Sequence, residues 1–131
     1  MATAAISGCG VAMTFDTNAI GEAKFTLPES VIDMLDATTN DSASCTREFA
    51  PGLIDEGEVG IEGNYVPADA GQTALRTGLG GTAKACVITL PSGSGTLSFN
   101  GIVSAFSIQA PHDDILTFSS TVKITGPIVY A

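Results

Sequence analysis

From Cys86 to Gly126 the chain alternates in a way that few folds accommodate. Between Leu116 and Thr125 the residues Leu116, Phe118, Val122 and Ile124 are apolar, while Thr117, Ser119, Thr121, Lys123 and Thr125 are polar. That period of two belongs to a strand with one buried and one wet face. Upstream, Cys86–Leu90 reads as a second strand. It is joined through Pro91-Ser92-Gly93-Ser94-Gly95, a run with hairpin-loop composition, to a third, Thr96–Gln109. In this third strand Leu97 and Phe99 carry the alternation on odd numbers and Phe106 and Ile108 on even ones, so a bulge is expected near Gly101. At about 3.3 Å per residue it extends roughly 45 Å, more than twice the usual strand. A strand of that length with an open edge offers unpaired N–H and C=O groups to other chains. It either bends between two sheets of a monomeric sandwich or belongs to an assembly, and these residues alone leave both open.

The 131 residues suit a single domain. With 44% apolar residues, 15 glycines and no tryptophan, the balance is that of a globular β-rich protein. Five basic against fourteen acidic side chains give a formal charge of −9, which argues against binding nucleic acid through its phosphates; solubility is the commoner use of such charge. The cysteines Cys9, Cys45 and Cys86 are odd in number and lack C-x-x-C spacing, so reduced, buried thiols are expected rather than a disulfide framework or zinc site. Met1–Phe15 has no Lys or Arg, and Ser7, Gly8 and Gly10 break its apolar run, so it reads as neither signal peptide nor membrane span. Ile6-Ser7-Gly8-Cys9 mimics a bacterial lipidation box without the charged start and apolar stretch that one needs. Residues 1–10 are expected to form a flexible arm of the kind that ties subunits together.

Along the chain, Val11–Phe15 and Ala23–Leu27 are expected strands around the turn Asp16-Thr17-Asn18, with Pro28 ending the second. Val31–Ala37 starts on β-branched residues and reads as a strand. Thr38–Gly52 is a long polar segment with at most a short strand around Cys45–Phe49; a loop of that length points to a contact role. Its Asn40-Asp41-Ser42 sequon reads as a chance match. Leu53–Val66 reads as one strand with Val59, Ile61 and Tyr65 on the core face and Glu56, Glu58 and Glu62 as a carboxylate column on the other. Like charges at about 7 Å spacing repel, and a solvated face is their plain reading. One helix is expected over about residues 69–78. Asp69 caps it, Gln72 reaches back, Gly78 ends it, and Leu75 and Leu79 are its buried face.

Little here suggests reaction chemistry. His112, the sole histidine, lies in the turn Pro111-His112-Asp113-Asp114, and no nucleophile signature places Ser119 or Ser120 beside it and Asp113. Asp55-Glu56-Gly57-Glu58 lacks the ligand offsets of a calcium loop. Gly78-Leu79-Gly80-Gly81-Thr82-Ala83-Lys84 follows a helix where a phosphate loop precedes one, so it reads as a helix stop. No catalytic, cofactor-binding or metal-ligating residue is expected, and no enzyme.

Four pieces, in order, resemble a known family. Asp36-Ala37-Thr38-Thr39-Asn40-Asp41-Ser42 resembles a D-x-T-x-x-D-S entry to a long loop. Arg47-Glu48-Phe49-Ala50-Pro51-Gly52-Leu53-Ile54-Asp55-Glu56-Gly57-Glu58 resembles the R-E-x-x-P-G-x-x-D-x-G-E segment that leaves it. Asp69–Leu75 matches the helix that follows. Ile88-Thr89-Leu90-Pro91, Phe99-Asn100-Gly101-Ile102-Val103 and Val122-Lys123-Ile124-Thr125-Gly126 match the closing strands. The set is similar to the major tail, or tail tube, proteins of long-tailed bacteriophages of the siphophage type, over about residues 30–126. Residues 1–30 show no clear family pattern.

The resemblance implies a mainly β fold: a two-sheet antiparallel β-sandwich with one short flanking helix, forming a single tail-tube domain over residues 1–131. It implies hexameric rings whose inner sheets join into one barrel, stacked as a hollow tube that conducts DNA from capsid to host. Partners would be further copies of the chain and the tape measure, tail tip and tail terminator proteins. DNA would pass without specific binding, no membrane insertion is implied, and the protein would be made in the host cytoplasm and reside in the virion tail. On this reading Glu56, Glu58 and Glu62 face an acidic lumen, and the loop over residues 38–52, with Thr39, Asn40, Asp41, Ser42 and Arg47, reaches the neighbouring ring. The other reading open to these residues is an immunoglobulin-like binding or decoration module of a virion or cell surface.

Overall fold

A computed structural model describes residues 9–131. The expected flexible arm over residues 1–10 therefore lies almost wholly outside the described residues. The elements are β1 (Ala12–Phe15), β2 (Asn18–Ala19), β3 (Ala23–Thr26), β4 (Val31–Asp36), β5 (Phe49–Asp55), β6 (Glu58–Asn64), α1 (Ala70–Thr77), β7 (Lys84–Thr89), β8 (Thr96–Gln109) and β9 (Thr117–Tyr130). Seven strands form one antiparallel sheet in the order β2-β1-β7-β8-β9-β6-β3, while β4 and β5 form a separate hairpin.

The two longest strands hold this arrangement together. β8 pairs with β7 only over Thr96–Gly101, and β9 pairs with β6 only over Thr117–Lys123, so each 14-residue strand serves both halves of the sheet. Apolar residues from both halves meet in one core: Met13 and Phe15 from β1 and Ile88 from β7 share a cluster with Val59 and Ile61 from β6 and Phe118 and Val122 from β9. The sheet thus folds over on itself into two layers. Register shifts fall between Ser98 and Asn100 and between Val103 and Ala105, on either side of Gly101 and so near where the bulge is expected. Gly101 itself serves packing, because a Cβ there would strike Val122 Cγ1 and sit 3.4 Å from Cys86 Sγ. Ser120 is 4% exposed and donates 2.8 Å to the Ala105 carbonyl beside the second shift, which keeps that oxygen paired.

Several expectations need correction. β1 forms its hairpin with the two-residue β2, whereas β3 crosses to the far edge and pairs with β6. The expected strand Leu53–Val66 breaks at Glu56-Gly57, where Gly57 takes φ +85° and a Cβ would strike the Glu29 backbone. The polar segment from Thr38 is the tip of the β4–β5 hairpin. Its strand begins only at Phe49, and Ala43–Cys45 is a short 3-10 turn. Of the three thiols only Cys86 is buried, and burial pushes it up to about 12; Cys9 and Cys45 are exposed.

α1 begins as expected, with Asp69 Oδ2 accepting from Gln72 N at 3.0 Å, and ends at Gly78. Leu75 is fully buried, but Leu79 is 50% exposed. Gln72 does not reach back to the cap. Its side chain, 1% exposed, accepts from Val66 N at 2.8 Å and donates to the Asn64 carbonyl at 2.9 Å and the Gly21 carbonyl at 3.2 Å. One amide therefore clips the helix, the end of β6 and the entry to β3 together.

Candidate functional site

The half-sheet β8–β9–β6–β3 turns one face to the core and the other to solvent. Cross-strand pairing arranges the solvent face in rows. Ser107, Ser119, Glu62 and Lys24 lie side by side; the next row is Ala105, Thr121, Gly60 and Thr26; the next is Ile102, Lys123 and Glu58. The Ser107 and Ser119 hydroxyls are 2.8 Å apart and hydrogen-bonded. Gln109, Thr117 and Asn64 finish the face at its far end. It is a carpet of hydroxyls and amides.

Glu58 and Glu62 stand on this face, as the alternation requires, but not as a bare column of carboxylates. Lys123 lies opposite Glu58 and Lys24 opposite Glu62, so the two glutamates share the face with two lysines, although the Lys123 ammonium itself bonds Asp55. Glu56 does not belong to it. It occupies the turn between β5 and β6, where Oε2 accepts from Ile128 N at 2.9 Å and ties that turn to the end of β9. The neighbouring Asp55 accepts from Lys123 Nζ at 2.9 Å and from Gly57 N at 2.8 Å. The lysine bond first, and the backbone bond after it, hold Asp55 below its ordinary value of 3.8. A depressed carboxylate stabilises the fold above its unfolded pKa and loses that contribution as pH falls through the folded one. In a carboxyl NMR titration Asp55 should therefore titrate below its ordinary value of 3.8, and replacing Lys123 with methionine should move it upward. An Asp55 midpoint at or above 3.8 in the parent protein would contradict the assignment.

Both edges of this half-sheet are open. β3 pairs with β6 and with no other described strand. Beyond Gly101, β8 pairs with β9 alone; the Val103 carbonyl accepts from Gly80 N at 3.3 Å, and Ser104–Gln109 continues past it with no second neighbour. Three antiparallel steps separate β8 from β3, so the two free edges run in opposite directions. A copy rotated about an axis along the strands would present its β8 antiparallel to this β3.

The β4–β5 hairpin is the second candidate surface. It stands away from the sheet with apolar side chains bare on both faces, Leu53 83% and Ile54 63% exposed among them. Between Glu29 and Glu56 it carries seven carboxylates and a single arginine, so most of the formal charge resides there. Its tip is knotted by short-range bonds. Thr39 N donates to Ser42 Oγ at 3.0 Å, Ser42 Oγ donates to Glu48 Oε2 at 2.8 Å, and Asp41 N donates to Thr39 Oγ1 at 3.2 Å. Asn40 lies in the same exposed turn, and Arg47 is 3.7 Å from Asp36. Thr39, Asn40, Asp41, Ser42 and Arg47 are thus brought together at the end of an exposed arm.

No reactive constellation forms around His112. Its side chain is 99% exposed and 3.7 Å from Asp113, while Ser119 bonds Ser107 and Ser120 bonds the Ala105 carbonyl. Among the described residues no group of His, Cys, Asp and Glu side chains could hold a metal ion, and no helix is long and apolar enough to cross a membrane.

The model of the lambda phage tail tube protein family, TTP, matches residues 14–130. The chain belongs to this family. It is a structural subunit of a tail tube, and its place is the tail of the particle. The match begins at Thr14, so it takes in β1 to β3, where no family pattern is visible by eye. Solved structures show the same fold at low identity. The tail of an empty gene transfer agent particle, solved with helical refinement and C6 symmetry, is 13% identical over 97% of this chain and 99% of that one, with a TM-score of 0.80. The SPP1 tail tube is 13% identical over 96% and 78%, with a TM-score of 0.68. The sheath–tube complex of the extracellular contractile injection system PVC contains a chain 11% identical over 98% and 92%, with a TM-score of 0.77. No curated protein matches the sequence. The immunoglobulin-like alternative is set aside by the family match, and the expected mainly β, tail-tube fold with one helix is the one found.

Of the residues that build the face of this tail tube protein, Lys24, Ser107 and Gln109 escaped the sequence reading. Their only signal there is a polar side chain at an alternate strand position. Which carboxylate each lysine faces depends on the pairing of β3 with β6, which local pattern does not encode.

Proposed function

We propose that six copies of this tail tube protein join the β8 edge of one to the β3 edge of the next, closing a barrel with the hydroxyl-rich face turned inward around the path of the DNA. The observation that carries this reading is the pair of open, oppositely directed edges flanking one polar face. Closure removes both edges at once. The gene transfer agent tail was described with C6 symmetry and helical refinement, which supports a sixfold ring stacked along an axis. A bore of hydroxyls and balanced charges offers DNA no cluster of cations to grip, so the genome slides through without specific binding. Glu58 and Glu62 face that bore and offset Lys24 and Lys123, while Glu56 braces the turn above them.

The arm over residues 38–52, with Thr39 to Ser42 and Arg47 at its tip, reaches the neighbouring ring. The tape measure, tail tip and tail terminator proteins are its other contacts in the tail. The subunit works by shape and charge, with no catalytic role.

Replacing Glu58 and Glu62 with lysine turns a balanced face into one with three uncompensated cations per subunit, Lys123 alone keeping its partner Asp55. Tubes of normal length should form, and DNA ejection should slow several-fold at low salt and recover as salt rises. Ejection unchanged in rate and salt dependence would remove these residues from the bore.

A further inference from the structure

The arm and the β8–β9 turn lie at opposite ends of the same half-sheet. Thr26 of β3 lies beside Gly60 near the start of β6, and the arm leaves and returns between these two strands. At the other end Ala23 lies beside Gly63, Asn64 beside Thr117, and Thr117 beside Gln109, so the turn over residues 110–116 projects there. The seven residues of β6 set the two ends roughly 23 Å apart.

Each end carries a bare apolar cluster. At the root of the arm, Ile32 pairs with Ile54 beside Leu53, and these are 38%, 63% and 83% exposed. At the turn, Ile108 and Leu116 continue the core-side face of the hairpin beyond the stacked rings of Phe106 and Phe118 and are 45% and 43% exposed; Ile115 beside them is 62% exposed. No single chain can bring the two clusters together. A surface at one end that complements a surface at the other makes an open head-to-tail series.

We propose that the root of the arm, through Ile32, Leu53 and Ile54, docks on Ile108, Ile115 and Leu116 of a copy in the next ring. This rests on the stacked-ring reading above and names the surface that receives the arm. The receiving turn carries Asp113 and Asp114, and the arm is itself strongly acidic. The contact is therefore apolar between like-charged surfaces, and raising ionic strength should promote stacking where an ionic contact would be weakened.

Disulfide trapping tests this in assembled tails. With Cys9 and Cys45 replaced by serine, Leu53→Cys combined with Ile115→Cys should give, on oxidation, a ladder of dimers, trimers and longer chains on a non-reducing gel. Either cysteine alone should give no ladder. A double variant that assembles into tails yet stays monomeric on the gel overturns the docking. As a second arm of the test, Leu53→Asp or Ile115→Asp should each leave rings but no long tubes; tubes of normal length from either would also overturn it. If the parent tails contain no rings by electron microscopy, it is the ring reading that fails, whatever the gel shows.

Discussion

Gly63→Ala is expected to destabilise the subunit by about 2–4 kcal/mol and to abolish tube formation, while Gly60→Ala, three residues earlier on the same strand, changes stability by less than about 1 kcal/mol. Both glycines lie opposite β3, but they meet different atoms. A Cβ at Gly63 would strike the Glu22 carbonyl oxygen and come within 2.7 Å of Ala23 Cα, which are backbone atoms that cannot rotate away. A Cβ at Gly60 would sit 3.3 Å from Thr26 Cβ, a side-chain contact relieved by a small shift. Alanine at position 63 therefore pushes β3 off β6 and removes the edge to which the next copy pairs. Denaturant unfolding gives the two stabilities, and negative-stain microscopy reads assembly. Equal, small effects from both substitutions would show that β3 is not held against β6 as described.

The second large effect is expected at Gln72. Leucine there removes the donor to the Gly21 and Asn64 carbonyls and the acceptor for Val66 N in a site 1% exposed, at a cost of about 3 kcal/mol. Glutamate keeps the shape but offers only acceptors when ionised, and two of its neighbours are acceptors already. Burial and those carbonyls raise its folded pKa above the unfolded value, so the variant is penalised above that folded pKa and recovers as pH falls through it. The difference in melting temperature between Gln72→Glu and the parent should shrink on going from pH 7 to pH 4.5. A difference independent of pH would mean that the side chain reaches water and does not clip the three segments.

Much of this fold is visible in the order of the residues, for identifiable reasons. The bounds of β8, Thr96–Gln109, follow from alternation set between a Gly-rich turn and Pro111, and α1 from Asp69 at one end and Gly78 at the other. Alternation tells which side of a strand is buried, but not which strand lies beside it. That is why β3 reads as the partner of β1 when it pairs with β6, and why the lysines opposite Glu58 and Glu62 stay hidden. The break at Glu56-Gly57 is masked because polar and apolar residues continue in step across the turn. The arm is missed for another reason. Both faces of β4 and β5 are bare, so there is no wet and dry side for the pattern to report, and Leu53 and Ile54 read as the start of one strand that runs on through β6. The change of alternation between Phe99 and Phe106 announces the shift in β8, and Ser120, which breaks the inward run of β9, marks the strand opposite it.

Cryo-electron microscopy of assembled tails at a resolution that traces strands shows whether the β3 and β8 edges of neighbouring subunits join. The expected map shows a ring in which Ser104–Gln109 of each subunit pairs antiparallel with Ala23–Thr26 of the next, with Ser107, Ser119, Glu62 and Lys24 lining the bore. Rings whose β3 and β8 edges stay solvated, with that row on the outer surface of the tube, would contradict it.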